Sequence, residues 1–117
     1  AIYVCGKVFK YLLSHGGLEA QYQRNLEKAN ILYDYLDNSQ MFHGTVKKEF
    51  RSLMNVPFVT GDPELDAKAV AFTKPPGWKP EGPPLCGRPA ASIYNAMPKA
   101  GVQALVDCLK EFEAQNR

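Results

Sequence analysis

The sequence predicts an α+β domain in which a small antiparallel or mixed sheet is covered by helices on one face. Three observations carry that expectation. Apolar residues recur at helical spacing in four separate segments, and two short segments alternate with a period of two. Between them stands one unambiguous helix start, "GDPEL".

Taken in order, Ile2–Ser14 places Cys5, Val8, Phe9, Leu12 and Leu13 on one helical stripe, and "HGG" supplies a glycine stop. The stripe is already running at residue 2 with no capping residue before it, the pattern expected of a segment cut from a longer chain. Leu18–Asp37 is predicted as a longer helix along Leu18, Tyr22, Leu26, Ala29, Leu32 or Tyr33, and Leu36, closed by "DNS". Tyr33 and Tyr35 are read as packing residues rather than a stacking platform. Met41–His43 and Thr45–Val46 are short strand candidates around Gly44.

"RSLMNVPFVT" (Arg51–Thr60) reads as a strand with Met54, Val56 and Phe58 on one face. Pro57 has no N–H to give a ladder, so this strand is expected at an edge or with a bulge. In the next helix Asp62 is the N-cap, Pro63 the first helical residue, and Glu64 and Asp66 face the positive first turn. Leu65, Ala69 and Phe72 are expected to face inward. After a proline-rich stretch, "ASIYNA" (Ala91–Ala96) is a predicted strand. Pro98 then opens a helix striped with Val102, Leu105, Val106, Leu109 and Phe112.

A chain of 117 residues forms one domain or a piece of one. Its net charge of +2 is too small to argue for nucleic acid or an anionic membrane, and its basic residues stand among acids. No apolar run approaches the ~18 residues of a membrane span, and the N-terminal segment lacks the marks of a signal peptide. Cys5, Cys86 and Cys108 form no CxxC pair; Cys5 and Cys108 fall on apolar helix faces, which suggests a reducing, cytoplasmic setting.

Catalytic signatures are sparse. There is no GxGxxG, P-loop, HExxH or zinc spacing. His15 and His43 have no cysteine or carboxylate at ligand spacing, so no metal is expected. Ser14 and Ser92 lack a nucleophile-elbow context. A Schiff-base lysine must be desolvated, whereas Lys7, Lys28, Lys47, Lys68 and Lys110 are all expected on polar faces or in exposed turns.

Three blocks say more than their patterning does. "IYVCGKVFKYLLSHGGLEAQYQRNLEKANILYDYLDNS", "RSLMNVPFVTGDPELDAK" and "ASIYNAMPKAGVQALVDCLKEFE", together with their order and spacing, resemble the C-terminal part of the phosphoserine aminotransferase family, whose members are class V pyridoxal-phosphate enzymes of fold type I. The resemblance covers nearly all of the chain outside Thr73–Ala90. It implies that residues 1–15 are the end of a large-domain or linking helix and that residues 16–117 are the small C-terminal domain. It implies amino transfer between L-glutamate and 3-phosphohydroxypyruvate, giving O-phospho-L-serine and 2-oxoglutarate in serine biosynthesis. Members are cytoplasmic homodimers that use pyridoxal 5'-phosphate. The cofactor lysine of the family lies upstream of these blocks, so no catalytic or cofactor-binding residue is expected here, and no bound cofactor in the chain alone.

In the family the segment before "ASIYNA" reads like "GHRSVGGMR", whose His-Arg pair and final arginine grip phosphate and carboxylate with charge-assisted hydrogen bonds. The corresponding residues here are Pro83, Pro84 and Ala90, none of which has a side-chain donor. Arg88, two residues from the last of these positions, is the remaining substrate-binding candidate. Pro75–Pro89 holds six prolines, three glycines and the only tryptophan. Shifting its codons forward by one base forces glycine across Trp78–Lys79, asparagine or serine across Lys79–Pro80, and lysine or arginine across Glu81–Gly82. The degenerate positions then permit Ala-Gly-Asn-Leu-Lys-Gly-His-Arg-Ser-Val-Gly-Gly. Residues 75–90 therefore read as a frameshifted copy of the family motif, expected to be irregular and exposed. The alternative is a stand-alone, non-catalytic α+β module that uses the proline-rich loop to bind a partner.

Overall fold

The computed structural model describes residues 1–73 and 89–117. In chain order it contains α1 (Ile2–Ser14), α2 (Gly17–Asn38), β1 (His43–Gly44), a 3-10 turn (Lys48–Phe50), β2 (Asn55–Val59), α3 (Pro63–Phe72), β3 (Ala90–Ser92) and α4 (Lys99–Gln115). The strands form an antiparallel sheet in the order β1-β2-β3, the α+β arrangement read from the sequence.

The glycine stop after α1 is real. Gly16 and Gly17 both adopt positive φ, and a Cβ on Gly16 would come within 2.7 Å of the Ala20 Cβ. The start of α3 is also as read: the Asp62 carboxylate accepts from the Glu64 N–H at 2.8 Å, and Pro63 occupies the first turn.

The core lies where α2 and α4 meet the sheet. Ala29, Leu32, Tyr33 and Leu36 come from α2, Val102, Val106, Leu109 and Phe112 from α4, and Val56, Phe58 and Ile93 from the strands and their margins. Phe42 sits at the centre, fully buried, with its ring edge-on to Phe58 at 5.7 Å and 6.1 Å from Phe112. Helices α2 and α4 run in the same sense. Glu27 meets Lys99 where α4 begins, and Tyr35 meets Glu113 near its end.

Several expectations are corrected. Strand β2 is central in the sheet, although Pro57 argued for an edge or a bulge. The carbonyl of Pro57 accepts from the Thr45 N–H at 3.3 Å, so the missing Pro57 donor faces β1 at the Thr45 register. That missing bond ends the pairing there: β1 stops at Gly44, and Thr45–Val46 is not a strand. Met41–His43 contributes only His43 to a strand, because Phe42 turns into the core. Arg51–Met54 is not extended ladder either, since Ser52 Oγ accepts from the Met54 and Asn55 N–H groups. The "ASIYNA" strand ends at Ser92, because the Met97 N–H bonds back to Tyr94 O and closes a turn.

On α3 the buried face holds Ala69 and Asp66, with Leu65 half-buried and Phe72 partly exposed. Asp66 is admitted because its carboxylate accepts from Thr60 N–H at 2.7 Å and Thr60 Oγ at 2.9 Å. On the first half of α2, Leu18 and Tyr22 are exposed, while Gln21, Asn25 and Lys28 are buried. The expected irregular segment lies outside the described residues except at its end. There Pro89 is buried, its carbonyl accepts from Phe58 N–H at 3.2 Å, and Ala90 opens β3.

Glu113 ties α4 to the end of α2. Its carboxylate accepts from Tyr35 Oη at 3.0 Å, Ser39 Oγ at 2.9 Å, Gln40 N–H at 3.2 Å and the Arg117 guanidinium at 3.1 Å. Burial opposes its ionisation, but the hydrogen bonds from Arg117, Ser39, Tyr35 and Gln40 outweigh this and hold its pKa below the ordinary value. Replacing Glu113 by Ala should cost about 2–3 kcal/mol in urea unfolding by leaving buried donors unpaired, with Gln recovering part of the loss.

Burial pushes the Tyr35 hydroxyl up to about 12, whereas in the unfolded chain it ionises near ~10. A raised folded pKa gives stability that is complete below the unfolded value and fades as pH rises towards 12. Unfolding titrations should therefore show stability falling across that window, and Tyr35→Phe should reduce the slope.

Candidate functional site

Of the positions singled out by the family motif, the structure describes only Ala90, at the start of β3. Pro83, Pro84 and Arg88 lie outside the described residues. Ala90 is exposed and is the first residue of β3, paired with Pro57. Val56 pairs with Ala91, Asn55 pairs with Ser92, and Ser92 Oγ donates to Asn55 Oδ1 at 3.1 Å. The backbone at position 90 is thus fixed against the central strand. Its methyl group offers a substrate anion nothing to bind.

After β3 the chain passes Ile93, which is buried and donates to Met54 O, and reaches the turn Tyr94–Met97. Here sequence reasoning missed the most unusual polar group among the described residues. Lys28, expected on a polar face, is only 3% exposed. Its ammonium donates to Tyr94 O at 3.0 Å, Met97 O at 3.0 Å and Asn95 O at 3.5 Å. Desolvation, with a smaller contribution from the nearby Arg24 charge, lowers its pKa.

Asn25 Nδ2 donates to Asn95 Oδ1 at 2.8 Å, and Gln21 Nε2 donates to Asn25 Oδ1 at 3.0 Å. Gln21, Asn25 and Lys28 stand at i, i+4 and i+7, a spacing that could have shown one helix face had an apolar line not been preferred. A groove of about 700 Å³ runs beside this cluster, lined by Tyr11, His15, Arg24, Glu27, Asn95 and Lys99 among others.

The remaining site readings are simple to place. His15 and His43 are exposed, and His15 Nδ1 lies 2.8 Å from Tyr11 O. Among the described residues no group of three or more His, Cys, Asp or Glu side chains could hold a metal ion, and no helix is long and apolar enough to cross a membrane. Tyr33 and Tyr35 pack as read: Tyr33 Oη donates to Ser52 O at 2.8 Å, and the Arg51 guanidinium lies over its ring at 4.5 Å. Cys108 is half-buried on α4, but Cys5 is exposed.

That exposure belongs to a larger feature. No residue of α1 is buried, and Ile2, Phe9, Leu13 and the nearby Leu18 (81% exposed) present a wide apolar surface.

Comparison with known proteins assigns this architecture. A scan of protein families finds none whose profile matches the chain. The chain is 50% identical over 117 residues to the phosphoserine aminotransferase of Mannheimia succiniciproducens, covering 99% of this chain and 32% of that protein. It is 52% identical over 118 residues to the enzyme of the same name from Lactiplantibacillus plantarum, covering 33% of it. In three dimensions it superposes on phosphoserine aminotransferase from Bacillus circulans subsp. alkalophilus with a TM-score of 0.84 and 34% identity, over 92% of this chain and 30% of that one. The pyridoxal-phosphate-bound enzyme of Trichomonas vaginalis gives a TM-score of 0.80 over 93% of this chain.

In sequence and in fold the chain is similar to the C-terminal part of phosphoserine aminotransferases. The chain spans about a third of the length of the curated relatives it matches.

Because the α1 stripe makes no core in this chain, Phe9→Asp should change its stability by no more than about 0.5 kcal/mol in denaturant unfolding, as an exposed site does. A buried stripe would lose several times that.

Proposed function

We propose that this chain is the small-domain portion of a phosphoserine aminotransferase, acting in a longer polypeptide that transfers the amino group between L-glutamate and 3-phosphohydroxypyruvate. The observation that carries the reading is 50% identity along the whole chain to proteins of that name, joined to the same fold in solved relatives. The cofactor in the whole enzyme is pyridoxal phosphate, which a relative of matching fold holds. The whole enzyme works as a cytoplasmic homodimer. Residues 1–15 continue a large-domain helix, and residues 16–117 form the small domain. The exposed apolar face of α1 supports that division, since a free-standing module would leave it in water.

The described residues do not themselves fit the cofactor. Among them Lys28 is the sole buried lysine, and its ammonium is saturated by main-chain carbonyls. Lys7, Lys10, Lys47, Lys48, Lys68, Lys99 and Lys110 are exposed and lack the desolvation that makes a lysine nucleophilic. No chemical step is therefore assigned to this chain. Its part in the reaction is to frame the substrate's anionic groups from the entry to β3. In the sequence Pro83, Pro84 and Ala90 stand where the family has its donors, and Arg88 is the nearest guanidinium.

Two expectations test this. The chain alone should attach no pyridoxal phosphate to a lysine on borohydride trapping and should not transaminate. A full-length chimera, with this chain behind the upstream two-thirds of a relative, should bind cofactor yet turn over barely. Changing Pro83–Pro84 to His-Arg and Ala90 to Arg should raise its kcat/KM by orders of magnitude, since each charge-assisted hydrogen bond contributes roughly 1.5–3 kcal/mol. Near-normal turnover by the unrepaired chimera would remove these positions from substrate binding and defeat the frameshift reading of residues 75–90.

A further inference from the structure

We infer that Lys28 is a positioning residue: its ammonium clamps the Tyr94–Met97 turn and so sets the line of β3, including the position now held by Ala90. The clamp stands on geometry alone, and only its consequence for substrate rests on the aminotransferase reading.

The donor inventory fits the turn. An ammonium has three protons and no acceptor, and three main-chain carbonyls face Lys28 Nζ, those of Tyr94, Asn95 and Met97. Among the described residues none of its hydrogen-bond partners is a carboxylate. The neighbouring Glu27 pairs instead with Lys99 at 3.2 Å. Holding an unpaired cation here is costly: the site is desolvated and the positive Arg24 lies nearby. An apolar side chain of similar length would avoid that cost but would take the donor from the Asn95 and Met97 carbonyls, so the ammonium is what fastens the turn.

The turn needs such a fixture. β3 has only three residues, too few to hold a direction by themselves. Between Ser92 and α4 the chain is fastened by buried Ile93, by the Met97 N–H to Tyr94 O bond of 2.9 Å, and by the α2 cluster. Tyr94 O accepts both the Met97 N–H and Lys28 Nζ, so the ammonium closes the turn on itself. Asn25 adds a second fastening through Asn95 at 2.8 Å, and Gln21 holds Asn25 in place. Ala90 lies four residues before Tyr94. A turn free to pivot would move the start of the strand.

The test is amide hydrogen exchange by NMR on the 117-residue chain carrying Lys28→Met, Lys28→Arg or the control Lys99→Met. Lys28→Met should speed exchange at the Ile93 and Met97 amides by at least about tenfold while Leu32 and Leu109 keep their protection. Lys28→Arg should restore part of it, and Lys99→Met should do nothing. Asn25→Ala, a milder lesion, should loosen the same two amides to a smaller degree. Equal acceleration at all four amides in both Lys28→Met and Asn25→Ala, or none at Ile93 and Met97, would overturn the clamp.

A second arm uses the chimera repaired at positions 83, 84 and 90. There Lys28→Met should raise KM for 3-phosphohydroxypyruvate about tenfold with cofactor binding unchanged. An unchanged KM would overturn the effect on substrate. A repaired chimera that is inactive with Lys28 intact would defeat the aminotransferase reading, while the exchange result still decides the clamp.

Discussion

The structure depends on a reciprocal exchange of buried charges between α2 and α4. Lys28 leaves α2 and satisfies the carbonyls of the turn that leads into α4. Glu113 leaves α4 and satisfies the donors of the turn that leads out of α2. Each charge is removed from water and has its hydrogen-bonding capacity filled, largely by turn groups that no helix or strand provides for. Two parallel helices packed only through Leu32, Leu109 and their neighbours could slide by a turn at modest cost. Two buried charges that fit a single register cannot. Phe42 can then occupy the gap beneath them, edge-on to Phe58, because the register has fixed the distance between helices and sheet.

What the sequence made legible follows from how local each signal is. The Asp62–Pro63 start, the double-glycine stop and the α4 stripe each depend on residues within one element or its ends, and all three stand as read. What it concealed depends on distant partners. Lys28 looks like a surface residue because helical periodicity weighs it as a charge, and nothing within a few positions reveals that a turn some 66 residues later will present carbonyls to it. Leu18 and Tyr22 misled for the complementary reason: the apolar line they prolong belongs to the α1 side of the chain, which finds no cover here. The candidate site was legible only through family resemblance. Alone, Ala90 is an ordinary strand residue.

Pro57 shows how a local rule can be right in mechanism and wrong in consequence. A proline in a central strand withdraws one donor, and the sheet accommodates this by ending β1 at the register concerned. On the other side Phe58 donates to Pro89 O and Val56 pairs with Ala91, so the β2–β3 ladder is intact. The defect therefore faces away from β3. Pro89 and Ala90 keep their ladder geometry although neither side chain carries a donor.

Fold and function are thus separable here for a physical reason. The fold is held by α2, α4, Phe42 and the two buried charges, none of which lies in residues 75–90. Recognition of an anion requires donors held at fixed points, and Ala90, though fixed opposite Pro57, carries none. Loss of a guanidinium from an exposed position costs a folded domain little, whereas it removes most of what binds a phosphate or carboxylate. Exchanging a donor for a methyl group at Ala90 therefore leaves untouched the bonds by which Lys28 holds the Tyr94–Met97 turn.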